Sequence, residues 1–276
     1  MPIRFDHKPG LVVYLTAGDA GLKAGQISAR EGLDASREIA IAAIDAGADV
    51  IELGVPFSDP LGDGPIIQRA SQRSLARGTR LRDVIALAGE IRAARPATGL
   101  IIFTYLNPIL RYGLRKFADD AAAAGADGVL TIDMIVEEAA EYIAEMSRVN
   151  LAPIFLAAPT SPDARLQAIA AHSKGFVYAV SRVGVTGTQQ SVAADAAALV
   201  ARIRRLASLA GLSLPVAVGF GISTSEHVAQ VAQFADAAIV GSAIVELIER
   251  STPESAPEAV ARFIKGLRQP QAALAR

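Results

Sequence analysis

The sequence predicts an α/β protein built as a single (β/α)8 barrel, the TIM-barrel architecture, spanning residues 1–276. Three observations predict it. Apolar runs of strand length recur eight times, helical periodicity fills the gaps between them, and no linker-like stretch divides the chain. The runs fall at residues 11–15, 49–53, 100–105, 128–132, 152–156, 176–180, 216–218 and 237–240. They are nearly continuous in apolar residues rather than alternating, as parallel strands covered on both faces are. The helical stretches fall at 36–46, from near Ile66, 82–94, 114–124, 136–147, 162–172, 193–210, 225–234 and 242–249, with a last helix near 257–267. The junctions repeat. Ala46-Gly47-Ala48-Asp49 and Ala124-Gly125-Ala126-Asp127 each end a helix and open a strand, with glycine suited to the left-handed residue after a helix. Phe234-Ala235-Asp236 makes the same junction without glycine. The competing fold, a doubly wound open sheet, normally carries G-x-G-x-x-G after its first strand; here that turn reads T-A-G-D-A-G.

Composition narrows the function. With 276 residues, 51% of them hydrophobic, the chain can bury a large core. A net charge of −1 gives no electrostatic case for nucleic acid or an anionic membrane surface. The absence of cysteine excludes disulfides, thiolate zinc sites and cysteine nucleophiles, and agrees with a reducing, cytoplasmic setting. His7, His172 and His227 are scattered, so no histidine metal cluster is readable, and His227, next to Glu226 on a helical stretch, reads as surface. Residues 1–6 lack the apolar core of a signal peptide, and no uncharged apolar run reaches the length of a membrane span.

Residues 52–65, E-L-G-V-P-F-S-D-P-L-G-D-G-P, carry the most chemistry. Pro60, Gly62, Gly64 and Pro65 forbid a regular element there, so Glu52 sits at the end of a strand, with Asp59 and Asp63 on the loop leaving it. Acids so placed have the geometry of a general acid–base pair in a barrel enzyme. A charge at an inward barrel position is costly unless used, and Ile51, Leu53 and the barrel interior are expected to raise the pKa of Glu52 toward a proton shuttle's range. Asp63 alone reads equally as a turn-forming residue before Gly64. Asp59, before Pro60, reads as a structural or interface group.

Three glycine loops follow the last three strands: residues 184–187, 219–221, and Gly241-Ser242 opening a helix. In such barrels phosphate sits at these loops, because glycine lets backbone N–H groups approach an oxyanion at a helix N-terminus. Arg182 is the nearest cation by sequence and reads either as a phosphate contact or as a solvated loop charge. Tyr14, Tyr105 and Tyr178 fall in strands, where they either pack the core or line a pocket for an aromatic substrate.

The 52–65 segment closely resembles the signature of the tryptophan synthase alpha subunit family, which normally reads ELGVPFSDPLADGP; only Gly62 departs. Tyr105-Leu106-Asn107-Pro108, S-R-V-G-V-T-G from Ser181, G-F-G-I-S from Gly219 and G-S-A-I-V from Gly241 follow in the right order, so the resemblance runs from about residue 11 to residue 249. It implies retro-aldol cleavage of indole-3-glycerol phosphate to indole and glyceraldehyde 3-phosphate. The glutamate matching Glu52 acts as acid–base at the indole carbon and the glycerol hydroxyl, and the aspartate matching Asp63 stabilises charge developing on the indole nitrogen. The tyrosine matching Tyr178 helps hold the site. Gly187, Gly219, Gly241 and Ser242 match phosphate contacts, and Thr186 lies on a loop that closes over the substrate; Tyr14, Tyr105 and Gly221 join them as candidate substrate-binding residues. No cofactor is implied for this chain: pyridoxal phosphate belongs to the partner beta subunit, in an assembly of two alpha and two beta chains.

Three departures from the family pattern stand out. Asp133-Met134-Ile135 replaces a proline-containing turn on a loop that faces the beta subunit. The chain before Leu11 is short for a barrel-plugging helix. Residues 21–34 are longer than usual and read as an inserted surface loop, or else as a lid extension. Three rival readings stay open: a stand-alone indole-glycerol-phosphate lyase, another phosphate-sugar barrel such as an isomerase or epimerase, and a non-catalytic regulatory barrel, against which the pairing of Glu52 with Asp63 argues.

Overall fold

A computed structural model describes residues 3–180, 189–219 and 221–269. Nine strands run in chain order: β1 Gly10–Thr16, β2 Val50–Gly54, β3 Gly99–Thr104, β4 Gly128–Thr131, β5 Ala152–Ile154, β6 Leu156–Ala157, β7 Val177–Val180, β8 Val216–Gly219 and β9 Ala237–Val240. All pairings are parallel, in the order β5-β4-β3-β2-β1-β9-β8-β7-β6, and the sheet curls into a nearly closed barrel. The eight-strand expectation is met with one amendment. The fifth run splits at Phe155: Ala152–Ile154 pairs with β4, and Leu156–Ala157 pairs with β7. Pro153 supplies no amide to the ladder there.

Side chains alternate across the sheet. Leu11, Val13, Ile51, Leu53, Leu100 and Ile102 point outward and pack with the helices. Val12, Val50, Ile101, Leu130 and Ile154 point into the barrel. Ile3 and Phe5 join that inner cluster, with the Phe5 ring 5.9 Å from Phe176 between centroids. Among the described residues before β1, these two side chains fill the N-terminal end of the barrel.

Among the described residues, eleven α-helices surround the sheet: α1 Ala29–Asp45, α2 Pro65–Ala76, α3 Leu81–Ala94, α4 Leu106–Tyr112, α5 Leu114–Ala123, α6 Ala140–Arg148, α7 Asp163–His172, α8 Gln189–Leu209, α9 Ser225–Val231, α10 Ser242–Arg250 and α11 Ala256–Arg268. Two differ from the sequence reading. Residues 21–34 are not one inserted loop, because α1 starts at Ala29. Ser28 Oγ accepts the Glu31 amide, and Glu31 accepts the Ser28 amide at 2.8 Å, a capping box that fixes the start. α4 was not expected; Pro108 sits in its first turn, where a missing N–H costs no helical bond. α1 packs between α11 and α3, while α10 and α2 meet each other and β1. Among the described residues, no helix is long and apolar enough to cross a membrane.

The repeated junctions have one physical cause. Leu11 N–H donates to Asp49 Oδ2 at 2.7 Å, and Asp49 N–H returns to the Leu11 carbonyl at 2.9 Å. Asp127 makes the same two bonds with Leu100, at 2.9 and 2.8 Å, and Asp236 makes them with Val216, at 2.9 and 3.0 Å. Each aspartate also receives an arginine: Arg268, Arg92 and Arg204 in turn. Gly47 and Gly125 adopt φ of 111° and 81° to turn into the first two junctions.

Candidate active site

Glu52 is the third residue of β2 and pairs in register with Tyr14 on β1 and Ile101 on β3. It shares the inward parity of Val50, so its side chain enters the barrel. The strand runs on to Gly54, which puts Glu52 inside the barrel rather than at the strand end the sequence suggested. It is 0% exposed, and neither carboxyl oxygen has a hydrogen-bond partner among the described residues. Burial alone pushes its pKa up to about 8. The expected direction is met, but not through Ile51 and Leu53. Those two face outward to the helices, as alternation requires, and the interior itself does the desolvating.

Asp63 lies on the loop between β2 and α2. Tyr105, the N-cap of α4, donates from its hydroxyl to Asp63 Oδ2 at 3.0 Å. The same hydroxyl accepts the Gly62 amide at 3.0 Å, so one phenol fixes both backbone and carboxylate of the loop. Gln68 Nε2 holds the Asp63 carbonyl at 2.8 Å. Burial raises the Asp63 pKa to about 6, against the lowering effect of the Tyr105 bond. Gly62 is tightly placed: a Cβ there would lie 2.7 Å from Ile132 Cγ2. Asp59 is exposed and accepts from Ser58 Oγ.

A cavity of about 120 Å³ opens beside these groups, lined among others by Tyr14, Phe103, Tyr178, Gly219, Gly241 and Ser242. Gly221 also lines it, at a φ of 79° that favours glycine. Tyr14 donates to or accepts from Thr16 Oγ1 at 3.2 Å and stands edge-on to Phe103, 4.9 Å between centroids. Burial raises the pKa of both Tyr14 and Tyr178, and the charges of Asp63 and Glu52 add to it, which ties all four groups into one electrostatic neighbourhood. Both phenols are therefore neutral donors at ordinary pH. Gly241 is the N-cap of α10, whose first N–H groups lack helical acceptors and face the cavity end lined by Ser242.

The structure thus brings Glu52, Asp63, Tyr14, Tyr105, Tyr178, Gly219, Gly221, Gly241 and Ser242 to one end of the barrel. Thr186, Gly187 and Arg182 lie outside the described residues. Phe103 was missed by sequence reasoning. Its register partner Gly54, two residues past Glu52, is the signal that would have found it. The polar groups lining the cavity are the Tyr14 and Tyr178 phenols, the Ser242 hydroxyl and backbone amides. Among the described residues, no group of three or more His, Asp or Glu is arranged to hold a metal.

Comparison with known proteins fits this geometry. Residues 3–273 match the family model described as tryptophan synthase alpha chain. The tryptophan synthase alpha chain of Solibacter usitatus is 46% identical over 256 residues, covering 93% of this chain and 90% of the relative. That of Geobacter sulfurreducens is 45% identical over 267 residues, covering 97% and 95%. Among solved structures, tryptophan synthase from M. tuberculosis in its aminoacrylate-bound form superimposes with a TM-score of 0.79 at 36% identity, covering 95% of this chain and 94% of that one. The tryptophan synthase complex from Pyrococcus furiosus gives 0.79 at 34% identity, covering 94% and 98%. A buried acid inside a parallel barrel, a second acid on the following loop and a glycine-opened helix beside them are thus carried by a chain that belongs to the tryptophan synthase alpha chain family.

Proposed function

We propose that Glu52 and Asp63 carry the carbon–carbon lyase reaction of this family, the retro-aldol cleavage of indole-3-glycerol phosphate to indole and glyceraldehyde 3-phosphate. The observation that carries the reading is the state of Glu52: wholly buried, unbonded, and with a pKa pushed up to about 8. Such a carboxyl holds its proton at neutral pH and can give it up to a reacting atom. Asp63, with a pKa near 6, is ionised at the same pH. Two acids with separated pKa values can take two roles.

Glu52 donates its proton to the indole carbon that bears the glycerol chain. The ring nitrogen gains positive charge, and the Asp63 carboxylate accepts the hydrogen bond of that N–H. Glu52, now a carboxylate, removes the proton of the adjacent glycerol hydroxyl as the carbon–carbon bond breaks. Its electrons return to the indole ring, the aldehyde forms, and Glu52 is protonated again. Tyr178 and Tyr14 hold the ring between them, with Phe103 closing the wall. Gly219, Gly221, Gly241 and Ser242 let backbone amides reach the phosphate at the α10 N-terminus.

The chain itself needs no cofactor for this reaction. We place it in the cytoplasm, paired with a tryptophan synthase beta subunit that carries pyridoxal phosphate, two alpha with two beta chains. Exposed apolar side chains support a docking face there: Leu61 at 97% exposure, Leu110 and Ile135 sit on three successive connections at the active end. Asp133 accepts the Leu106 amide at 2.7 Å, which anchors the loop that lacks the family's proline. Indole release from indole-3-glycerol phosphate, measured with and without a beta subunit, tests the reading. Activity that rises on addition supports the partnered enzyme. Full unassisted activity without association supports a stand-alone lyase, and no indole in either case rejects the lyase reading.

A further inference from the structure

Arg69 and Arg73 on α2 and Arg77, its C-cap, follow one another at four-residue spacing, so helix geometry stacks them on one face. They meet two acids that lie far away in sequence. Arg69 donates from Nε and Nη2 to Glu249 at 2.9 and 2.8 Å. Arg73 donates from Nη1 to Glu249 Oε1 at 2.6 Å, and its Nε and Nη2 grip Asp19 with two bonds of 2.8 Å each. Arg77 donates to the carbonyls of Gly18 and Gly21, both at 3.2 Å. The Asp19, Glu249 and Arg73 side chains are only 1%, 8% and 13% exposed. A single guanidinium therefore joins three elements: the loop after β1, α2, and α10.

α2 and α10 both reach the site: Ile67 of α2 lines the cavity, as do Gly241 and Ser242 at the start of α10. α2 begins at Pro65, two residues after Asp63, and α10 begins at Ser242, directly after Gly241. α2 and α10 pack against each other, and both touch β1. Apolar side chains would serve packing alone as well as a buried ionic cluster does. A bidentate guanidinium adds a fixed separation and angle, which apolar packing specifies less sharply.

We propose that Arg73 is a positioning residue, which holds the Asp63-bearing loop and the α10 N-terminus at one separation so that a substrate with an N–H at one end and a phosphate at the other engages both. The inference rests on the proposed lyase function and names the device that keeps its two halves in register.

Steady-state kinetics on the full chain test it, with Arg73→Met, Arg73→Lys and Glu249→Gln measured beside Glu52→Gln. Arg73→Met should lower kcat/KM for indole-3-glycerol phosphate by about 10–100-fold, mostly in kcat, as misplacement of reacting groups does. Glycerol 3-phosphate, which spans only one end, should bind within about 3-fold of wild type. Arg73→Lys, which keeps charge but not the fork, should recover part of the loss. Glu249→Gln should shift kcat in the same direction, and the double variant should be no worse than Arg73→Met alone. Kinetic constants unchanged in Arg73→Met despite a lower Tm would overturn the proposal. So would a loss of glycerol 3-phosphate binding as large as the loss of turnover. If Arg73→Met does not fold, Glu249→Gln decides alone, because it keeps the shape and one acceptor oxygen while removing the charge and the second acceptor; unchanged kcat there also overturns it. Turnover retained by Glu52→Gln would reject the lyase assignment, whereas an inactive Glu52→Gln beside an unchanged Arg73→Met rejects the positioning role only.

Discussion

The Tyr105 hydroxyl donates to Asp63 at 3.0 Å while accepting the Gly62 amide at 3.0 Å, so one phenol fixes both the charge and the backbone of the loop opposite Glu52. Tyr105→Phe removes both bonds without removing the ring. Asp63 then loses the contact that lowers its pKa, and burial is left unopposed. The acid limb of kcat/KM should move upward from about pH 6, and the plateau should drop by roughly 10-fold, the worth of one or two such bonds. A pH profile of the variant superimposable on wild type would show that the bond does not matter to the reaction.

Wild-type kcat/KM should be bell-shaped in pH. Asp63 must be ionised to accept the indole N–H, so activity falls as pH drops through about 6. Glu52 must start protonated, so activity falls as pH rises through about 8. A profile that keeps rising past pH 9 would mean that Glu52 starts as a base instead.

Burying Glu52 has a stability consequence of definite sign. Its folded pKa is about 8 against an ordinary 4.5, so the native chain keeps a proton that the unfolded chain releases. Stability is therefore unaffected below about pH 4.5 and is lost progressively as pH rises toward 8. Glu52→Gln has no such dependence. It should be more stable than wild type at pH 8, by on the order of 1–3 kcal/mol, with the gap closing below pH 4.5. Urea titrations at pH 4.5 and 8 measure it; equal differences at both values would contradict the buried, protonated state.

Gly241→Val separates binding from folding. Gly241 has a φ of −114°, outside the left-handed region, and the nearest atoms a Cβ there would meet belong to Tyr14, at 3.7 Å, an ordinary contact distance. The added atoms enter the cavity beside the α10 N-terminus, where the phosphate is proposed to sit. KM should rise by about 10-fold or more while Tm moves by only a few degrees. An unchanged KM would put the phosphate elsewhere.

The barrel was legible because strands covered on both faces must be apolar throughout, and the aspartate junctions because each carboxylate caps its neighbour's first amide within a recurring four-residue pattern. Glu52 was legible as a charge where alternation demands an apolar side chain. Other features depended on contacts that local pattern does not carry. The start of α1 rested on Ser28 and Glu31, two polar residues inside a polar stretch. α4 was hidden by Pro108, which signals a break everywhere except the first turn. The split at Phe155 follows from a change of pairing partner. Arg69, Arg73 and Arg77 gave no signal in the sequence, because Asp19 and Glu249, their partners, lie about 50 and 180 residues away and meet them only in the folded barrel. The roles of Glu52 and Asp63 came from resemblance. Their spacing alone left Asp63 as readily a turn residue.

The central claim is that Glu52 moves the proton. Indole release from indole-3-glycerol phosphate by Glu52→Gln, measured at pH 7 beside wild type and with glycerol 3-phosphate binding measured in parallel, addresses it most directly. Glutamine keeps the shape and removes only the transferable proton. Turnover should fall by about 10²–10⁴-fold or more while glycerol 3-phosphate binds as in wild type. Indole release within about 3-fold of wild type would contradict the claim, since a general acid–base group typically contributes far more than that.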